Sequence, residues 1–323
     1  MRRFFLVIAT YFCIMSATFA NHPLTHQKKI QVTPGLYILD ISRPDFKNNT
    51  FDVIFWLFMT TPKSNATYNP LEQTEISNAI SQHLMLKDSY LHKDGSKTYT
   101  AKIKATIRQP LSFKNYPYDQ QVLKIKIENS HFDLKKLTFS ATNKQMAPTP
   151  VIDPDFSTRN WRVLRANGAF KVKHYATDFK TNHPGTFKNY AQYQAKLILE
   201  RINHKPMFMS FLLLYIAVFL SAIAILIPNT HPISPKISCS IGAVFALCHH
   251  IAGHANTATI STELSLSSKL ELATFIIILI TLLGSHFSYL KLKSNMVWVY
   301  KLIGFGIIPI FTLYNYYLIT HLY

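Results

Sequence analysis

From Gln31 to about Arg201 apolar and polar residues alternate in short runs, the two-residue period of strands. Leu36–Ile41 is a short strand. In the next run Phe51, Val53, Phe55, Leu57 and Met59 alternate with Asp52, Ile54, Trp56 and Phe58, so both faces carry bulk. Thr98–Ile107 sets Tyr99, Ala101, Ile103 and Ala105 against Thr100, Lys102 and Lys104, and Val122–Ile127 repeats the alternation. Trp161–Leu164 and Tyr193–Ile202 are further strands. Asn78–Lys87 has no clear period and reads as a loop as readily as a strand. Turn signals separate the runs at Asp94-Gly95, Tyr116-Pro117, Asp153-Pro154 and Pro184-Gly185. Many short strands between such turns predict an antiparallel β-sandwich.

The pattern changes after Pro206. Met207–Ile227, Leu270 to about Leu290, and Val297–Leu318 are apolar stretches of about the 20 residues that a helix needs to cross hydrocarbon. Between the first two lies Lys236–Asn256, where Ser238, Ser240, His249, His250 and His254 interrupt Ile, Val, Phe and Leu. Flanked by two apolar spans, it reads as a helix kept from lipid, lining water or protein. The expected architecture is an all-β antiparallel sandwich extracellular domain (21–205) followed by an all-α four-helix transmembrane domain (206–323).

Composition adds a direction to this plan. Arg2 and Arg3, the apolar run Phe4–Met15 and the small residues Ser16–Ala20 read as a secretory signal over 1–20. The competing reading is a short membrane anchor. A signal places the sandwich outside the cytoplasm, and Lys236, Lys291 and Lys293 then fall at cytoplasmic helix ends. The cysteines are Cys13, Cys239 and Cys248, so the exported domain has no disulfide and must be held by its own core. Between Asn21 and Lys205 there are 27 Lys and Arg against 14 Asp and Glu, most of the net charge of +18. A basic face attracts anions or anionic lipid headgroups; export argues against nucleic acid.

This order of elements resembles the pentameric ligand-gated ion channels, the Cys-loop receptor superfamily, in its bacterial form without the loop disulfide. Leu36-Tyr37-Ile38-Leu39-Asp40-Ile41-Ser42 and Thr50–Leu57 look like the first two strands of that family. Phe113-Lys114-Asn115-Tyr116-Pro117-Tyr118-Asp119-Gln120-Gln121 is similar to its signature loop. Trp161 resembles the Trp opening a late strand, and Arg201 the arginine before the first span. The resemblance implies a homopentamer in a bacterial inner membrane, with the sandwich outside. It also implies a small-molecule or proton agonist and no cofactor or enzymatic activity. Pro117, Asp119 and Arg201 would couple the sandwich to the pore, Asp119 and Arg201 as a charge-assisted pair at the seam.

Pore-lining residues recur on one helical face. Ser238, Gly242, Phe245, His249, Ala252 and Asn256 do so, and Cys239, Gly242, Ala246, His249, Gly253 and Asn256 form a neighbouring stripe. A ring of Phe245 is a candidate constriction that closes by dewetting, and packing against a neighbouring helix is its alternative. Lys236 without an acidic neighbour leans the pore towards anions. His249 titrates near neutral pH and is a candidate proton sensor; His250 and His254 read equally as partners of neighbouring helices. The aromatic agonist box of the family has Trp56, Tyr99, Tyr175, Tyr190 and Tyr193 as candidates, with Thr181–Thr186 as the capping loop. Aromatic faces attract amines, although sandwich aromatics also build cores. A non-conducting sensor of the same fold and a membrane metalloenzyme on His249, His250 and His254 are the competing readings; the remaining histidines are scattered singly, which disfavours the second.

Overall fold

The computed structural model describes residues 29–42, 44–141, 147–156, 161–177, 187–202, 205–228, 232–258, 264–289 and 294–321, without the side chains of 205–210, 254–258, 286–289, 294–297 and 300. The signal segment 1–20, the start at Asn21, the turn Pro184-Gly185, the capping segment Thr181–Thr186, and Lys291 and Lys293 lie outside the described residues, as do the side chains of His254 and Asn256.

The strands are β1 (Ile30–Ile41), β2 (Thr50–Thr61), β3 (Thr74–Ile76), β4 (Ala79–Leu91), β5 (Lys97–Arg108), β6 (Gln120–Asn129), β7 (Leu137–Phe139), β8 (Val151–Ile152), β9 (Trp161–Tyr175) and β10 (Lys188–Arg201). Single 3-10 turns at Lys63–Asn65 and Pro70–Gln73 connect β2 to β3. The helices are α1 (Lys205–Leu226), α2 (Ile233–Ala258), α3 (Leu266–Tyr289) and α4 (Ser294–Thr320).

The strands form two sheets. One runs β4-β5-β2-β1-β7 with β8 also on β1; the other runs β3-β6-β10-β9. Alternation decides how they meet. Phe51, Val53, Phe55, Leu57 and Met59 of β2 are buried, and so are Leu123, Ile125 and Ile127 of β6 and Tyr193, Ala195, Leu197 and Leu199 of β10. These rows share one core, so the sheets pack face to face. Ile54, Trp56 and Phe58, on the other face of β2, are only half-buried. A buried leucine or phenylalanine in such a row contributes about 1.5–3 kcal/mol, and this core holds the domain without a disulfide.

Two features of the expected fold are corrected. The sandwich is not purely antiparallel: β1 pairs in parallel with both β7 and β8, which return beside it after β6 has crossed to the other sheet. A four-helix transmembrane domain is also not what the chain forms. Among the described residues three stretches are long and apolar enough to cross a membrane: Ile233–Gly253, Leu266–Ser285 and Lys301–Thr320. In α1 the apolar part among the described residues is Phe211–Leu226. That part is shorter than each of these three stretches. Instead α1 is the hub, packed against α2, α3 and α4, with Leu214, Ala217, Val218, Ser221, Ala222 and Ala224 buried. The extracellular placement rested on residues 1–20 and does not carry over to the fold.

Asn78–Lys87 is neither loop nor half-buried strand but most of β4, the edge of the larger sheet, exposed along nearly its whole length. A two-residue period appears only where one face is covered, so this strand has none to show. Gly95, at φ 81°, makes the tight turn from β4 to β5 in a conformation that L side chains rarely adopt.

Candidate functional site

The seam between sandwich and helices is built on the loop before β6. Asp119 is buried at its end and Arg201 closes β10, so the sheet register of β6 and β10 delivers both to one place. Arg201 Nε donates to Asp119 Oδ1 at 2.7 Å and Nη2 to Oδ2 at 3.1 Å. Gln121 Nε2 also donates to Asp119 Oδ2 at 2.7 Å. The side chains are 9% and 2% exposed, so this is a dry, two-pronged ion pair. Aromatic faces surround the guanidinium: Trp161 at 4.3 Å, Tyr116 at 5.2 Å and Phe46 at 5.8 Å.

The same loop holds the start of α3. Lys114 O accepts from Leu266 N at 2.9 Å and Tyr116 O from Ser267 N at 3.3 Å. Helix N-termini leave such N–H groups without partners inside the helix, and here the β domain supplies them. Pro117 is buried in the loop, and the Tyr118 ring stacks on Phe211 of α1 at 6.5 Å. The loop therefore touches two helices.

Of the five aromatic residues read as an agonist box, the structure brings Tyr175 and Tyr190 together. Their rings meet edge to face at 5.6 Å. Tyr193 is wholly buried in the sandwich core, and its hydroxyl donates to Pro148 O. Tyr99 is buried on β5 and donates to Ala66 O at 3.0 Å. Trp56 lies half-buried on the outward face of the larger sheet, beside Tyr37 and Lys102. The reason is parity: Tyr99 and Tyr193 sit on inward rows, Trp56 on an outward one.

Around Tyr175 and Tyr190 stand acidic residues absent from the sequence reading. Glu128 is buried, and accepts from Tyr175 Oη at 2.8 Å and from Gln192 Nε2. Glu75 lies directly opposite Glu128 in the β3:β6 register. Desolvation first, and then the charge of Glu128, push the Glu75 carboxyl above its ordinary range. Burial and the same carboxylates push the Tyr175 phenol up as well. The signal for Glu128 was faint: a carboxylate at the end of a run in which only lysines had been polar.

On α2 the face turned from the other helices carries Ser238, Phe245, His249 and Ala252, all exposed, with Phe245 70% exposed. Gly242 is half-buried, because a Cβ there would meet Leu220 of α1 at 3.1 Å. The neighbouring histidine has the opposite fate. His250 is buried, with Nε2 3.3 Å from Ser267 Oγ and 3.1 Å from Glu271 Oε1 on α3. Lys236 is buried within the protomer. Among the described residues no three His, Cys, Asp or Glu side chains come together as a metal set. No protein-family model matches the chain, and no curated protein matches it.

Proposed function

We propose that this chain is one subunit of a homopentameric ligand-gated ion channel, in which binding at the β domain opens a pore lined by α2. The observation that carries the reading is the face of α2. A membrane-length helix turns Ser238, His249 and Ala252 away from its own bundle, where lipid is a poor solvent for two of the three. Copies gathered about an axis would place that face in water, with Phe245 as a dewetting constriction. Asn256 belongs to the same proposed face.

Two features of the β domain support a ligand-driven change. Tyr175, Tyr190 and Glu128 offer aromatic faces and a buried carboxylate, the chemistry that recognises an organic ammonium. Trp56, presented outward on the larger sheet, is placed to serve a neighbouring copy rather than its own. Coupling then runs through Asp119, Pro117 and Arg201 to α1 and α3. The exposed Ile80, Leu86, Tyr90 and Leu91 on the edge strand β4 are what a subunit contact would cover. The permeant ion is proposed as an anion, since α2 contains no carboxylate.

Reconstitution in planar bilayers tests this reading. Addition of a primary amine is expected to open a current whose reversal potential follows a chloride gradient, and His249→Ala is expected to change its pH dependence. Silence to amines and to pH steps, with protomers found single in mild detergent, would overturn it.

A further inference from the structure

The two sheets differ in width, and this leaves a cavity. The larger sheet ends in β5 and β4, while the smaller ends in β3, a strand of three residues. The inward faces of β4 and β5 therefore overhang their partner sheet. The 3-10 turn Pro70–Gln73 and β3 cover the overhang, and a cavity of about 220 Å³ remains beneath them. Its apolar wall is Leu57, Leu71, Ile76, Leu84, Ala101 and Ile103. Apolar cavities of about 150 Å³ are large enough to take up a benzene ring.

The polar lining is not symmetric. Asn69 Oδ1 accepts from Leu71 N at 3.2 Å and Asn69 Nδ2 donates to Glu72 Oε1 at 2.8 Å. Gln82 Oε1 accepts from Ile76 N at 3.3 Å and Thr74 Oγ1 donates to Pro70 O at 2.7 Å. Lys87, which also lines the cavity, makes no ion pair or side-chain hydrogen bond among the described residues. It faces the cavity because of an irregularity in β4. Leu84 pairs with Ile103, Leu86 with Lys102 and Lys87 with Ala101, so one extra residue is inserted between Leu84 and Leu86. Without it Lys87 would share the face opposite Leu84. Bulges re-aim side chains in this way, and they cluster at functional sites.

We propose that this cavity is a binding site for a small carboxylate with an apolar ring or branched body, distinct from the site at Tyr175 and Tyr190. The body fills the space between Ala101, Ile103 and Ile76, and the carboxylate meets the Lys87 ammonium at the mouth. This pairing gives an otherwise unengaged cation a charge-assisted partner at the edge of an apolar surface. It is independent of whether the chain conducts ions.

Thermal unfolding of the full chain in detergent micelles, titrated with benzoate, tests the proposal. Benzoate is expected to raise Tm saturably, and uncharged benzyl alcohol to do so at least about tenfold more weakly. Lys87→Gln is expected to weaken the benzoate response by a similar factor. Lys104→Gln, on the opposite face of the same sheet, is expected to leave it unchanged. Ala101→Leu, which fills the cavity, is expected to abolish the response to both compounds. The proposal is overturned if benzoate gives no saturable shift or if benzyl alcohol equals it. It is equally overturned if Lys87→Gln keeps the wild-type response, if Lys104→Gln weakens it as much as Lys87→Gln, or if Ala101→Leu leaves it intact.

Discussion

At the scale of single residues, burial decides what each charge can do. Asp119 and Arg201 are dry, so removing one partner leaves the other charge without compensation. Asp119→Asn is expected to cost about 3–5 kcal/mol, measured as a loss of denaturant stability in detergent. Arg201→Lys is expected to recover little, because an ammonium lacks the planar fork that engages both carboxylate oxygens and stacks on Trp161. Glu75 makes a prediction of opposite sign in pH. Its carboxyl is raised by desolvation and by Glu128, so the folded state holds that proton more tightly than the unfolded chain does. Stability from this source is complete below the ordinary glutamate range and is lost as pH rises through the raised value. Thermal scans across acidic to neutral pH are expected to show that loss in the wild type and to lack it in Glu75→Gln. The presence of an amine should oppose it, because a cation favours the ionised pair.

At the scale of elements, the informative ones break a simple period. Strand β4 is exposed on both faces, and its register slips between Ala79 and Ser81 and between Leu84 and Leu86. An edge strand that exposes Ile80, Leu86, Tyr90 and Leu91 invites contact with another chain. If the proposed pentamer forms, Leu86→Lys, on the face away from the cavity, is expected to leave the fold intact and to shift particles from pentamers to protomers in mass photometry. An unchanged distribution would remove β4 from the subunit contact. Helix α2 is the other such element. His249 and His250 are adjacent, yet one is exposed and the other buried against α3, because about 100° of rotation separates neighbouring residues. On the proposed channel reading, Phe245→Ser is expected to raise resting conductance in bilayers, since a polar ring does not dewet.

At the scale of the whole molecule, the β domain and the helices share their stabilising contacts at one seam. Lys114 and Tyr116 complete the hydrogen bonding of the start of α3, and Tyr118 packs on α1. Wild-type protein is therefore expected to unfold in a single thermal transition. Asp119→Asn is expected to split it in two, with the sandwich and the helices melting separately by near- and far-ultraviolet circular dichroism. One transition in both proteins would mean that the seam does not carry the cooperativity. In the proposed channel, a ligand at Tyr175 and Tyr190 would act on α2 through this seam, by way of β10, Arg201, the loop and the helices in turn.

Local pattern by itself determined the strands that bury one face, the apolar runs of α3 and α4, and the change from strands to helices between Arg201 and Pro206. Those follow from periodicity and from the cost of placing polar groups in hydrocarbon, both of which are written in consecutive residues. Tertiary structure alone decided the rest. It made β4 a strand, because an edge needs only one hydrogen-bonded neighbour and no buried face. It took Tyr99 and Tyr193 into the core and left Tyr175 and Tyr190 beside Glu128, because pairing register sets which residues from distant strands share a face. It made α1 a hub, because only packing shows whether an apolar residue meets lipid or protein. The parallel pairing of β7 and β8 with β1, and the bulge that aims Lys87 at a cavity, likewise exist only between strands that the chain brings together from far apart.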